Sequence, residues 1–192
     1  MEIILSCPCV RNNCKLFLTQ GQHIMFKLER AYSTKSNKGE RILNRRILEE
    51  QAILLDVTAT EWEDAVRICG DLLVQTGKVE TTYVEAMIRN IHELGPYILI
   101  APSVAMPHAR PEDGVIQEGI SVVVLKEEIA FGNGKEFKVL IGLAALNSKS
   151  HIYILQKIAE VISQAKSIER LKNATRYDEI LRLFNEKEEH DS

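Results

Sequence analysis

The chain has 192 residues, 45% apolar and 27% charged, with a net charge of −3; this is ordinary for a water-soluble α/β protein with one sizeable core and some length to spare. No window approaches the ~20 consecutive apolar residues that a membrane-spanning helix needs. The short apolar start, Met1 to Cys9, lacks a basic stretch ahead of it, which argues against a secretory signal and for a cytoplasmic location.

Residues 1–46 carry nine Lys/Arg against three Asp/Glu. The arm has no recognisable nucleic-acid-binding pattern, so it reads as a solvated, poorly ordered extension and no nucleic acid partner is expected. Cys7, Cys9 and Cys14 lie in it without the second ligand pair of a zinc ribbon or finger. Met25 is a candidate alternative start. Ser33 to Gly39 is a polar, breaker-rich run that reads as a linker. The expected division is a basic extension over 1–44 and one domain over 45–192.

Within the domain, Thr60-Glu61-Trp62-Glu63 predicts a capping box. Trp62, Ala65, Val66, Cys69, Leu72 and Leu73 then share one helical face, and Gly77 is a left-handed stop. Cys69 is expected to pack as a small apolar residue. A second box, Thr82 to Glu85, predicts a helix carrying Tyr83, Ala86, Met87 and Ile91 inward and ending at Gly95-Pro96. His92 is expected to form a surface pair with Glu93. Tyr97–Ala101, Ile120–Leu125 and Phe137–Ala145 are near-continuous apolar runs, as suits strands covered on both faces, with a turn at Gly132-Asn133-Gly134. Asn147 to Ser150 offers capping oxygens to a helix with Ile152, Leu155, Ile158, Ala159 and Ile162 in a stripe. A last helix opens at Thr175 to Asp178, with Ile180, Leu181 and Phe184 inward. The order helix, helix, strands, helix, helix implies a mixed β-sheet sandwiched by helices.

The chemistry concentrates in Pro102 to Gly114. Prolines at 102, 107 and 111 stiffen the segment and remove donors, so it is expected to stay out of a central ladder. His108 on a stiff loop after a strand is pre-organised, and a neutral imidazole is nucleophilic near pH 7. Arg110, two residues on, is placed to help neutralise phosphoryl oxygens. His151 lies at a helix start, where exposed N–H groups and the helix dipole keep a histidine neutral and favour an anion. Taken alone, both histidines are also consistent with ordinary surface positions.

Three stretches together are similar to a known family: Glu93 to Pro102, Val104 to Val115, and Gly142-Leu143-Ala144-Ala145 followed by His151. Residues from about 47 to 187 resemble the type-2 (mannitol/fructose-type) enzyme IIA domains of the bacterial phosphotransferase system, and the ascorbate-type IIA component among them. The resemblance implies the mannitol-type fold, phosphorylation of His108, and assistance from His151. It implies phosphate taken from the phosphocarrier HPr and given to a cysteine of a IIB partner, with peripheral association with a membrane IIC component and no cofactor. Ascorbate is implied by the resemblance alone, since a IIA component does not touch the sugar. Two departures stand out. Ser103 occupies a position where glycine is expected, so a positive φ there would be strained. Arg89, the one candidate in the preceding helix for the arginine of mannitol-type members, does not align cleanly, which leaves that role to Arg110.

Val104, Ala105, Met106 and Ala109 are expected to line a flat apolar patch for both protein partners, with Glu112 and Asp113 on an acidic rim. For all of this the His108 ring has to be uncharged and reachable. Two other readings use the same residues. A regulatory module would sense phosphorylation without feeding a transporter, and a metal hydrolase would use His92, His108 and His151. The latter is disfavoured by the absence of metal-ligand spacing.

Overall fold

The computed structural model describes residues 3–6, 15–18, 46–131 and 134–185, and it divides into two compact units, Met1–Arg46 and Ile47–Ser192. In the first, β1 (Ile3–Ser6) pairs antiparallel with β2 (Lys15–Leu18). The three cysteines of the arm, Met25 and the Ser33–Gly39 run lie outside the described residues.

The second unit opens with a single 3-10 turn, Glu50–Ala52, running into β3 (Ile53–Val57), a strand the periodicity does not announce. Asp56 interrupts it at φ 55° where the pairing register shifts. Helices α1 (Trp62–Gln75) and α2 (Thr81–Leu94) follow. Every expected inward residue of α1 is buried except Trp62, which is half-buried. Gly77 closes α1 at φ 69°: its N–H bonds to Val74 O, and that of Lys78 bonds to Leu73 O, the paired bonds of a left-handed cap. Neither expected capping box forms. The hydroxyl of Thr60 donates to the carboxylate of Asp64, and Glu61 takes the cap position without a side-chain bond. Thr82 lies inside α2, which starts one residue earlier, and donates to Asp113 O at 2.9 Å. In both cases the helix starts at a different residue from the one the box implies, with Glu61 and Glu80 in the cap positions.

The remaining elements are β4 (Leu99–Ala101), β5 (Ser103–Ala105), β6 (Gly119–Ala130), β7 (Glu136–Ala144), α3 (Ser148–Ile162), α4 (Ala165–Lys172) and α5 (Tyr177–Asn185). One five-stranded sheet has the order β3-β6-β7-β5-β4. The β3/β6 and β5/β7 pairs are parallel, and β6/β7 and β4/β5 are antiparallel. Helices α1 and α2 share a buried core with Val123, Leu125, Phe137 and Leu140 on one sheet face. On strands β6 and β7 Val122, Val124, Val139, Ile141 and Leu143 are buried as well, with α4 against β5 and β7 and α5 against β3. The expected sandwich of helices around a mixed sheet is therefore the architecture found.

Several details differ from expectation. Residues 103–105 do join the sheet, between β7 and β4, because the prolines at 102 and 107 bracket three residues that keep their N–H groups. Ile154 and Val161 are buried in α3, whereas Ile152 and Leu155 are half-buried. Cys69 is buried as expected, its thiol beside Ser121 Oγ at 3.4 Å and pushed up by burial to about 12. Gly134 turns at φ 72°, while Gly132 and Asn133 lie outside the described residues.

Candidate active site

The segment bearing His108 is anchored before, at and after the histidine. Before it, Ser103 adopts φ 59°, the strained conformation that a serine in a glycine position entails. Its hydroxyl donates to Glu128 Oε1 at 3.0 Å, and Glu128 in turn pairs with Lys172 of α4 at 3.4 Å. The Ser103 bond, then Lys172, hold that carboxyl below its ordinary value.

At the histidine, the backbone runs alongside β7. Residue 108 forms a parallel bridge with Leu143, and Leu143 N–H donates to Pro107 O at 3.3 Å. The buried Tyr83 of α2 reaches the same place. Its hydroxyl accepts from Ala109 N–H at 3.0 Å and donates to Leu143 O at 2.7 Å, with Ala109 O at 3.1 Å. Tyr97 donates to His108 O at 3.3 Å, and its ring stands edge-on to the imidazole with centroids 5.7 Å apart. Burial pushes the Tyr97 phenol up to about 12.

After the histidine, Pro111–Asp113 forms a single 3-10 turn. Asp113 Oδ2 accepts from Arg110 N–H at 3.0 Å, and Oδ1 lies 3.7 Å from Arg89 of α2. Gly114 at φ 128° lies so close to α2 that an added Cβ would stand 2.8 Å from Thr82 Oγ1.

His151 enters from the other side. Asn147 Oδ1 caps α3 by accepting from the N–H groups of Lys149 at 3.0 Å and Ser150 at 3.1 Å, and Ser150 Oγ accepts from Asn147 N–H at 3.2 Å. The expected capping oxygens thus do the capping, and His151 follows one residue later. Its ring lies 6.1 Å from that of His108, centroid to centroid, tilted by 45°.

His108 Nδ1 lies 2.9 Å from Met106 O. A carbonyl only accepts, so Nδ1 carries the proton and the neutral ring presents its lone pair at Nε2. Burial lowers the His108 pKa, against the raising effect of the Met106 bond. His151 is lowered to about 4, first by burial and then by the neighbouring His108. Both rings are neutral at pH 7 for the same reason: an imidazolium loses its hydration here.

The sequence calls for a reachable ring, yet His108 and His151 are each only 4% exposed. Tyr97, Met106 and the second histidine close around the imidazole because the segment is drawn onto β7. Val104, Ala105, Met106 and Ala109 are buried too, so they do not form the expected surface patch. The exposed large apolar residues on the segments that carry or adjoin the site are Leu94, Ile116, Leu146 and Tyr153. Of the expected acidic rim, Glu112 is exposed, whereas Asp113 is turned onto Arg110 and Arg89.

Arg110 is exposed and joins the turn through its backbone. His92 bonds to Glu63 Oε1 at 2.9 Å rather than to Glu93, and its ring meets Trp62 at 5.0 Å. It belongs to the α1/α2 contact and not to the pair formed by His108 and His151. Sequence reasoning placed Tyr83 in the core and missed its hydroxyl. The only signal was a phenol on an otherwise aliphatic inward face, where a buried O–H needs a partner.

Comparison with known proteins gives the family. The family model for the phosphoenolpyruvate-dependent sugar phosphotransferase system, EIIA 2, matches residues 46–187. The ascorbate-specific PTS system EIIA component of Escherichia coli K12 is 34% identical over 146 residues, which cover 74% of this chain and 95% of that protein. A PTS IIA protein of Streptococcus mutans, PtxA, superimposes with TM-score 0.67 at 39% identity, covering 71% of this chain and 88% of the other. The mannitol IIA of Escherichia coli, solved in complex with phosphorylated IIB, gives TM-score 0.64 at 32% identity over 71% of this chain and 96% of that one. The match over residues 46–187 and these relatives place this protein in the type-2 EIIA family of the sugar phosphotransferase system.

Proposed function

We propose that this chain is a cytoplasmic phosphocarrier that takes a phosphoryl group from phospho-HPr onto His108 Nε2 and passes it to a cysteine of a IIB partner, in an ascorbate-type uptake system. The observation that carries the reading is the proton on His108 Nδ1, held by Met106 O beside a second neutral histidine. In uptake, the Nε2 lone pair forms a bond to phosphorus as the donor's P–N bond breaks, and the electron pair of that bond returns to the donor ring. No proton has to move. His108 keeps its Nδ1–H on Met106 O and gains positive charge, which makes Nε2 a good leaving group when a thiolate attacks next.

A neutral His151 can donate one ring N–H to a phosphoryl oxygen at the start of α3, and Arg110 adds positive charge from the adjacent turn. Burial keeps water from the P–N bond. It also makes opening of the enclosure around His108 part of each transfer. The docking face for HPr and IIB is built on Leu94, Leu146 and Tyr153 in place of the buried residues. The solved complex of the mannitol relative with phosphorylated IIB supports a IIB acceptor, and the curated ascorbate-specific relatives support that sugar. Peripheral contact with a IIC component would follow through IIB.

The test is incubation with enzyme I, HPr and phosphoenolpyruvate. One acid-labile, base-stable phosphate should appear on His108, disappear in His108→Ala, and chase onto purified IIB. Label that persists in His108→Ala sinks the assignment; label that forms but never reaches any IIB favours the regulatory reading.

A further inference from the structure

We propose that Tyr83 is a positioning residue for the His108 site, and that its hydroxyl serves as an inserted rung of the sheet; this rests on His108 being the phosphoryl acceptor. In a parallel pairing of residue 108 with Leu143, the flanking bonds run from Leu143 N–H to Pro107 O and from Ala109 N–H to Leu143 O. The first is present at 3.3 Å. On the second side the Tyr83 oxygen stands between the two groups, accepting from Ala109 N–H at 3.0 Å and donating to Leu143 O at 2.7 Å. Pro107 has no N–H, so the chain around His108 has few ways to hold itself to β7. A phenol from α2 supplies what the local backbone lacks.

The rung ties the Ala109 N–H to Leu143 O through the phenol oxygen, beside the bridge between residue 108 and Leu143. The same strand leads through Leu146 and Asn147 to the start of α3, so Leu143 is a fixed point for His151 as well. The hydroxyl is thus bonded to the backbone next to one histidine and to the strand that feeds the other. Tyr83 is fully buried among aliphatic residues of the α1/α2 core, so no water competes for these bonds.

Tyr83→Phe removes one oxygen and keeps the ring. The expected result is a fall of about ten- to hundredfold in the rate of phosphoryl uptake, as for a slight misplacement of a reacting group, with the KM for phospho-HPr little changed. Long-range nitrogen–proton NMR of the imidazoles should show His108 losing its pure Nδ1–H tautomer and titrating at a different pH. A second measurement uses the intact chain: the Tyr83 hydroxyl proton should be visible in slow exchange, with a cross-peak to the Ala109 amide. Equal uptake rates together with unchanged His108 tautomer and titration overturn the proposal, as does a hydroxyl proton that exchanges with solvent at once. Failure of the wild-type chain to be labelled sinks the acceptor reading alone, since the tautomer and hydroxyl measurements still decide the role of Tyr83.

Discussion

Charge on one of the two histidines is felt by the other, and both carry the cost of burial. Their folded pKa values lie below the ordinary 6.5, His151 at about 4. As pH falls through 6.5 the unfolded chain takes up these protons and the folded chain does not, so stability present above that pH is lost between about 6.5 and 4. The loss from His151 alone is roughly 3 kcal/mol at most. Urea unfolding at pH 7, 5.5 and 4.5 should show it, and His151→Gln should flatten the profile. Phosphoryl uptake should hold its rate as pH passes down through 6.5, since burial keeps the His108 pKa below that value. A rate that halves near pH 6.5 would mean an ordinary, solvated imidazole. The histidines were legible because Pro-His and a helix start are local signals. Their enclosure was not, because it depends on Tyr97 arriving from the segment just after α2 and on the two rings meeting each other.

At the scale of elements, the cap of α3 links folding to the site. Asn147→Ala removes the acceptor for two N–H groups and should cost about 1 kcal/mol in stability. Because His151 lies in the first turn after that cap, its backbone N–H bonded to Asn147 O, uptake should slow more than this stability loss alone would cause; comparing labelling rates and denaturation midpoints of the same variant separates the two. The stripes of α1 and α2 were readable from spacing alone. The threonine boxes misled because the pattern presumes which residue is the cap: Glu61 and Glu80 take those positions, and the two threonine hydroxyls donate to Asp64 and Asp113 O. β3 escaped notice because Asp56 breaks its apolar run at a left-handed residue. β5 did because prolines on both sides suggested a loop, though its own three residues can pair.

For the whole molecule, the family match begins at residue 46 and the compact unit at Ile47. A chain lacking residues 1–44 is therefore expected to keep its melting temperature to within about 3 °C and its labelling rate to within about twofold, as for a domain with its own core. Calorimetry and the labelling assay check both, and a large drop in either would tie the basic arm to the domain's function.

The pairing of β3 with β6 has a consequence for biosynthesis. Ile53 lies beside Val122, and between them run two amphipathic helices whose greasy sides rest on strands translated later still. On the ribosome, α1 and α2 therefore emerge before their seat exists. They stay sticky until β7 has cleared the exit tunnel, so this stretch of nascent chain is where holding chaperones would be recruited.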